Sequence, residues 1–249
     1  MPMRLEVYPT AGEAFEAAAA LAADGLRAAS GRPTIALTGG RGGRGVMVAL
    51  AARDDVPWER VEWLWGDERC VPPGDPLSNV RLARDSLLVP RAIAAERIHP
   101  PPLELGDPGR IAAAYAAVLR EQLAPGSSPA FDVVLLGVGT NTHIASLMPG
   151  SSALAAEVPV AAVPVSEVSE DPIVARITIT PPVLAAARRV IVTVSGDEKA
   201  GVVAAALRDP VDPSHVPAQL VRPSERVTWI VDRAAAATLL RDARPAASD

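Results

Sequence analysis

The stretch from Phe131 to Gly150, FDVVLLGVGTNTHIASLMPG, constrains the rest of the chain. Its apolar residues Val133 to Leu136 run without interruption into Gly137-Val138-Gly139. A short continuous apolar run reads as a strand buried on both faces, the kind a parallel sheet requires. Glycines directly after it make a tight turn where backbone can come close to a ligand. Thr140, Asn141, Thr142 and His143 follow, and Ile144 to Met148 reads as a short helix stopped by Pro149-Gly150. His143 is therefore expected where a strand has ended and a helix begins. In an open α/β sheet that is the carboxyl edge, where ligands bind. A helix N-terminus disfavours the imidazolium, so a His placed there is expected to stay neutral, as a general base must. The structural alternative is a His that caps the helix or bonds a neighbouring carbonyl.

The same strand pattern recurs. Leu5 to Tyr8, Thr34 to Leu37, Val61 to Trp65, Val190 to Val194 and Val227 to Val231 read as strands, and Val158 to Val165 and Arg176 to Thr180 alternate as strands do. Helices are predicted between them. Thr10 to Glu13 forms a capping box opening a helix to about Ala29, and a helix from Val46 to about Arg53 follows a Gly-rich turn. Ser78 or Asn79 caps one reaching about Val89, and Asp107-Pro108 starts one reaching about Leu123. Later helices are expected over Pro181 to Arg189, Gly201 to Leu207 and Arg233 to Arg241. Strand–helix alternation along the whole chain predicts a single-domain α/β fold over residues 1–241, with a largely parallel sheet and helices on both faces. Residues 242–249 read as a flexible tail, and Ser166 to Pro172 as a polar surface loop.

Composition narrows the function classes. The net charge is −5 with acids and bases interspersed, and aromatics make up 3% of the chain. That combination argues against a nucleic-acid surface, which needs a basic face and stacking aromatics. Cys70 is the single cysteine, and His99, His143 and His215 lie far apart without ligand spacing, so no metal site or cofactor is expected. No apolar span of 18 residues occurs, so a soluble, cytoplasmic protein with no membrane contact is expected, as a monomer or small homo-oligomer. Lys199 is the single lysine among 24 basic residues.

Four strands end in polar, Gly-containing turns: Thr38 to Gly45, Gly66 to Arg69, Gly137 to His143 and Ser195 to Lys199. In a parallel sheet these share one edge, bringing Arg41, Asp67, Arg69, His143 and Lys199 into one crevice. The turn at Gly39-Gly40 ahead of a helix offers free backbone N–H groups and a positive dipole end, a cradle for phosphate. Lys199 in the first turn of a helix is disfavoured unless it faces an anion. Asp67 is placed to orient His143 or Arg69.

The blocks TIALTGG, VEWLWGDERCVP with a following SN, FDVVLLGVGTNTHIASLMPG, RITIT and VSGDEKA resemble the 6-phosphogluconolactonase family of the sugar-phosphate isomerase/deaminase-like superfamily, in the family's order over about residues 5 to 240. The resemblance implies a Rossmann-like, modified doubly wound fold. It implies metal-independent hydrolysis of a phosphorylated sugar lactone, 6-phospho-D-glucono-1,5-lactone, to 6-phosphogluconate in the oxidative pentose phosphate pathway. Carried over by motif, His143 is the base that activates water, and Arg69 stabilises charge near the lactone carbonyl and interacts with His143 or Asp67. Arg176 and Lys199 hold the phosphate with Gly39, Gly40 and Arg41, and Asn141 completes the substrate-binding set. The chain departs from the family's pattern at Asn141-Thr142, where an acid and a Gly are usual, and at Arg41-Gly42-Gly43, where Ser-Thr-Pro is usual. It departs again at Ser169 to Ala175, where a Lys/Pro-rich stretch is common. Two alternatives stand beside the lactonase reading: a glucosamine-6-phosphate deaminase/isomerase-like enzyme, and a non-catalytic sugar-phosphate-binding relative.

Overall fold

The computed structural model describes residues 4–123 and 130–242. Its strands are β1 (Leu5–Tyr8), β2 (Thr34–Leu37), β3 (Glu62–Trp65), β4 (Asp67–Arg69), β5 (Val133–Leu136), β6 (Val160–Val163), β7 (Arg176–Ile179), β8 (Val190–Val194) and β9 (Val227–Asp232). The α-helices are α1 (Ala11–Ala28), α2 (Gly40–Ala51), α3 (Asn79–Ala83), α4 (Pro108–Gln122), α5 (Pro181–Ala186), α6 (Ala200–Arg208) and α7 (Ala237–Asp242). α7 takes in Asp242, the first residue of the expected tail; residues 243–249, and with them the rest of that expectation, lie outside the described residues.

Six strands form one parallel sheet in the order β1-β9-β8-β5-β2-β3, with helices on both faces. Every residue of β2, β3, β5 and β8 is buried, as their apolar runs require. From β2 the chain steps outward to β3, then returns to place β5 on the other side of β2. That reversal opens a crevice between the carboxyl ends of β2 and β5, the usual ligand position in such sheets.

A second, antiparallel sheet, β4-β7-β6, stands at this carboxyl edge. The sequence reading placed Gly66 to Arg69 in a turn; the structure makes Asp67–Arg69 a strand. Gly66 joins the two sheets, donating to Leu37 O (2.8 Å) and accepting from Ile179 N (2.8 Å). Tyr115 of α4 fixes the junction from behind, accepting from Trp65 N (2.7 Å) and donating to Trp65 O (3.1 Å).

Two helix expectations are corrected. α2 starts at Gly40, six residues ahead of the expected Val46, because packing outweighs the poor helix propensity of glycine. A Cβ on Gly45 would stand 2.3 Å from the Phe15 ring, so the missing side chains let α2 lie close against α1. Ile144 to Met148 forms no helix. Ile144 and Leu147 close a tight turn through Leu147 N to Ile144 O (2.9 Å), with Ala145 at φ 49°. Tertiary bonds hold it: Ser146 N donates to Thr178 Oγ1 (3.1 Å), and Ser146 Oγ to Asp67 Oδ2 (2.7 Å). The helix-dipole argument for a neutral His143 therefore does not apply.

Candidate active site

A cavity of about 330 Å³ occupies the crevice, walled by the turns after β2, β5 and β8 and by the small sheet. It is lined by Gly39, Gly40, Arg41, Asp67, Arg69, His143, Arg176 and Lys199, eight of the nine site residues expected from sequence. Asn141 is the exception: it sits behind His143 rather than on the cavity wall.

His143 is fixed through Nδ1. The Asn141 amide nitrogen donates to Ser169 Oγ (2.8 Å), which turns the amide oxygen toward the imidazole. That oxygen accepts from His143 Nδ1 (2.6 Å) and from His143 N (3.2 Å). Glu170 Oε2 also lies 3.4 Å from Nδ1. With acceptors on that side, Nδ1 carries the hydrogen, and Nε2 is the ring atom left for the cavity. The backbone permits this close packing only at Gly139, where a Cβ would stand 2.1 Å from Nδ1 and 2.7 Å from Glu170 Oε2. The glycine read as room for a ligand is room for the imidazole. The His143 hydrogen bond, acting against burial, holds the Glu170 carboxyl down at about 2, with smaller contributions from Asn141 N and the Thr140 side chain. Glu170 escaped the sequence reading because it lies in the loop taken as solvent-facing; its signal was two adjacent acids just before the β7 arginine.

Strand alternation sorts the GDER residues. Asp67 and Arg69, two apart, face the cavity, while Glu68 points the other way and is fully buried. Burial pushes the Glu68 carboxyl up, and bonds from Asn79 N (2.8 Å), Val80 N (2.7 Å), Arg69 N (2.6 Å) and Ser78 Oγ (2.9 Å) oppose that. Glu68 thereby ties β4 to the start of α3. Asp67 accepts from Ser146 Oγ and, weakly, from Asn79 Nδ2 (3.4 Å). Among the described residues it bonds neither His143 nor the Arg69 guanidinium, so the expectation that it orients one of them is not met in this geometry.

The cations are under-paired. Arg69 donates from Nη1 to Leu77 O (2.7 Å), and its buried Nε has no partner. Arg176, 1% exposed, donates from Nη2 to Glu170 O (2.7 Å) and Pro172 O (2.9 Å), and its Nε is likewise buried without a partner. Burial pushes the Arg176 guanidinium down; Asp67 opposes this and Arg69 adds to it. Across the cavity, burial pushes the Lys199 amine down against the pull of Glu170 and Glu198, and that amine makes no side-chain hydrogen bond among the described residues. Arg41 pairs with Glu198 and donates to Ser195 O (3.1 Å), tying α2 to the turn after β8. The first N–H groups of α2, which follows Gly39 with no side-chain cap and begins at Gly40 with φ 74°, open onto the same space. Arg69, Arg176 and Lys199 on the wall of one polar cavity give it the charge to take up an anion.

A switch-point cavity with one imidazole among cations has the make-up of an α/β enzyme site for a small anionic substrate. The chain matches the family described as glucosamine-6-phosphate isomerases/6-phosphogluconolactonase over residues 9–229, and it belongs to that family. It is 38% identical over 232 residues to the 6-phosphogluconolactonase of Streptomyces coelicolor, covering 89% of this chain and 88% of that one. It is 39% identical over 218 residues to that of Mycobacterium tuberculosis, covering 85% and 87%. The solved 6-phosphogluconolactonase of Trypanosoma brucei superposes with a TM-score of 0.83 at 30% identity, over 96% of this chain and 99% of that one. A monomeric glucosamine-6-phosphate deaminase has a TM-score of 0.77 at 19% identity over 95% of this chain and all of that one, a likeness of fold.

Proposed function

We propose that this protein hydrolyses 6-phospho-D-glucono-1,5-lactone to 6-phosphogluconate in the oxidative pentose phosphate pathway, with His143 as the general base. The observation that carries the mechanism is the imidazole held through Nδ1 with Nε2 toward a cavity of under-paired cations. Kinship to 6-phosphogluconolactonases over most of the chain supports the choice of substrate.

A water beside Nε2 gives its proton to the imidazole as its oxygen bonds to the lactone carbonyl carbon. The developing oxyanion is met by the positive charge of the Arg69–Arg176 pair, both of which line the cavity. The carbon–ring oxygen bond then breaks. The ring oxygen takes the proton back from His143, and the product acid ionises. A cyclic ester is activated enough for this to proceed without a metal. Lys199 and the N-terminus of α2 hold the phosphate, where a dianion neutralises the uncapped N–H groups and the half-buried amine. In this reading Arg176, assigned with Lys199 to the phosphate on sequence grounds, joins Arg69 at the carbonyl end; its position opposite Arg69 supports that role.

Proton release from freshly generated lactone tests the reading. The protein is expected to accelerate release above the spontaneous rate, and His143→Ala to lower kcat by roughly 10²–10⁴ without loss of fold. Binding of 6-phosphogluconate with no acceleration identifies a non-catalytic relative, and ammonia release from glucosamine 6-phosphate identifies a deaminase; either overturns the proposal.

A further inference from the structure

Glu170 is the one carboxylate that approaches the His143 ring among the described residues, and the mechanism above leaves it without a task. It reaches the ring from the loop between β6 and β7, 27 positions along the chain, in a stretch without strand or helix periodicity. We propose that Glu170 is the positioning residue of the base: from outside the Gly137–His143 turn it supplies the negative charge that stabilises the imidazolium formed when Nε2 takes a proton. This rests on the reading of His143 as the base.

Three features of the geometry carry the inference. First, the acceptor that the turn itself offers to Nδ1 is the neutral amide oxygen of Asn141. An amide fixes the tautomer but adds no charge, and a base that becomes cationic in the transition state is stabilised by a fixed anion beside it. Glu170 Oε2 at 3.4 Å is that anion. Second, the loop is built to hold the carboxylate there. Arg176 Nη2 grips the Glu170 and Pro172 carbonyls, Asn141 Nδ2 grips Ser169 Oγ, and Asn141 N donates to Glu170 Oε2 at 3.2 Å. Asn141 thereby serves both sides, bonding the imidazole with its oxygen and the loop with its two nitrogens. Third, Gly139 leaves the space that imidazole and carboxylate share, since a Cβ there would overlap both. The carboxyl of Glu170 is held at about 2 chiefly by the His143 hydrogen bond, so it is charged wherever the enzyme works.

The arrangement also explains how a turn carrying Asn141-Thr142 can still serve a base. The charge sits on a neighbouring loop, and the loop is pinned by Arg176, whose own strand position faces Arg69. The base and the arginine pair are thus mechanically joined through Glu170.

The test compares wild type, Glu170→Gln, Glu170→Asp and the double variant Glu170→Gln/Asn141→Asp. Glutamine keeps shape and removes charge, so kcat for the lactone is expected to fall roughly ten- to a hundred-fold with KM little changed. The double variant returns a carboxylate to the position now bonded to Nδ1 at 2.6 Å, and is expected to recover most of the loss. A readout independent of turnover follows the His143 imidazole by 15N NMR against pH. Its midpoint is expected to drop in Glu170→Gln, because an anion favouring the imidazolium is gone, and to return in the double variant. The other charged groups around His143 are unchanged in the comparison: Asp67 and Arg69 on β4, Arg176 on β7, Asp171 in the loop, Lys199, and the Arg41–Glu198 pair. Failure of wild type to hydrolyse the lactone overturns the functional reading, and the NMR midpoint still judges the His143–Glu170 relation. An unmoved midpoint, or an unmoved kcat in an active enzyme, overturns the role given to Glu170. Recovery in Glu170→Asp but not in the double variant overturns the substitution of one carboxylate for the other.

Discussion

Arg69 and Arg176 stand directly opposite each other across the β4–β7 ladder, two positions from the Asp67–Thr178 pair. Like charges at facing positions of an antiparallel ladder repel at close range. Both guanidiniums also carry a buried Nε with no acceptor. An anion bound at this wall of the cavity would offset the repulsion between them.

A bound anion is therefore expected to stabilise the protein strongly. At a hundred times its dissociation constant, 6-phosphogluconate adds about 2.7 kcal/mol, which for a chain of this length raises Tm by about 5–10 °C. Arg176→Met should shrink that shift at the same concentration while keeping much of the side-chain volume. The ligand-dependent shift is the quantity to compare, since Arg176 also bonds the Glu170 and Pro172 carbonyls and its loss lowers the baseline. An undiminished shift removes Arg176 from the substrate's reach.

Lys199 separates the two ends of the substrate. Its half-buried amine has no hydrogen-bond partner among the described residues, and its turn is fixed from both sides. Asp232 accepts from Gly196 N (3.1 Å), and Arg41 holds Glu198 and the Ser195 carbonyl. Lys199→Ala is expected to raise KM for the phosphorylated lactone by the loss of a charge-assisted bond, roughly 1.5–3 kcal/mol. KM for unphosphorylated gluconolactone should hardly move. Equal effects on the two substrates place Lys199 away from the phosphate.

The strands of the parallel sheet were legible because apolar runs such as Val133 to Leu136 and Val190 to Val194 admit few other readings. The crevice was legible too, since the turns after those strands must share an edge. What escaped was tertiary. Asp67 to Arg69 carries three charges and no apolar residue, so nothing local announces a strand; its partner β7 decides it. Ile144 to Met148 has the composition of a helix, but Ser146 is captured by Thr178 and Asp67 instead of the helical ladder. Glu170 sits in a loop without periodicity, and only the folded chain brings it to His143.

Glu170 also gives the fold a recognisable acid response. Its carboxyl lies at about 2 in the folded protein against an ordinary 4.5, chiefly through the His143 hydrogen bond. A carboxyl depressed by folding contributes stability that is complete above its unfolded value and is lost as pH falls through its folded one. Wild type should therefore melt above Glu170→Gln at about pH 5, and the gap should close between about pH 4.5 and 2. Thermal melts across that range decide it; a gap that stays constant down to pH 2 shows that the carboxylate adds no stability through its charge.

Thr142, directly before the base, has φ 72°, in the left-handed region that β-branched residues avoid. The conformation is imposed from both sides, by Thr142 N to Gly139 O (3.0 Å) and by Ala218 N to Thr142 O (3.0 Å). The side chain offers little in return, its hydroxyl reaching His215 O at 3.4 Å. Strain of this kind costs roughly 1–3 kcal/mol. Glycine relieves it but loses about 0.5–1 kcal/mol through greater freedom of the unfolded chain. The strain term is the larger over most of its range, so Thr142→Gly is expected to melt at the same temperature or a few degrees higher. Activity should be kept or increased, because the backbone that aims His143 is already in a conformation open to glycine without strain. Paired melts and lactone assays on the purified variant test both parts. A folded Thr142→Gly that loses turnover assigns the Thr142 hydroxyl a direct part in placing the base. A lower Tm means the threonine packs well enough, at 9% exposure, to outweigh its strain.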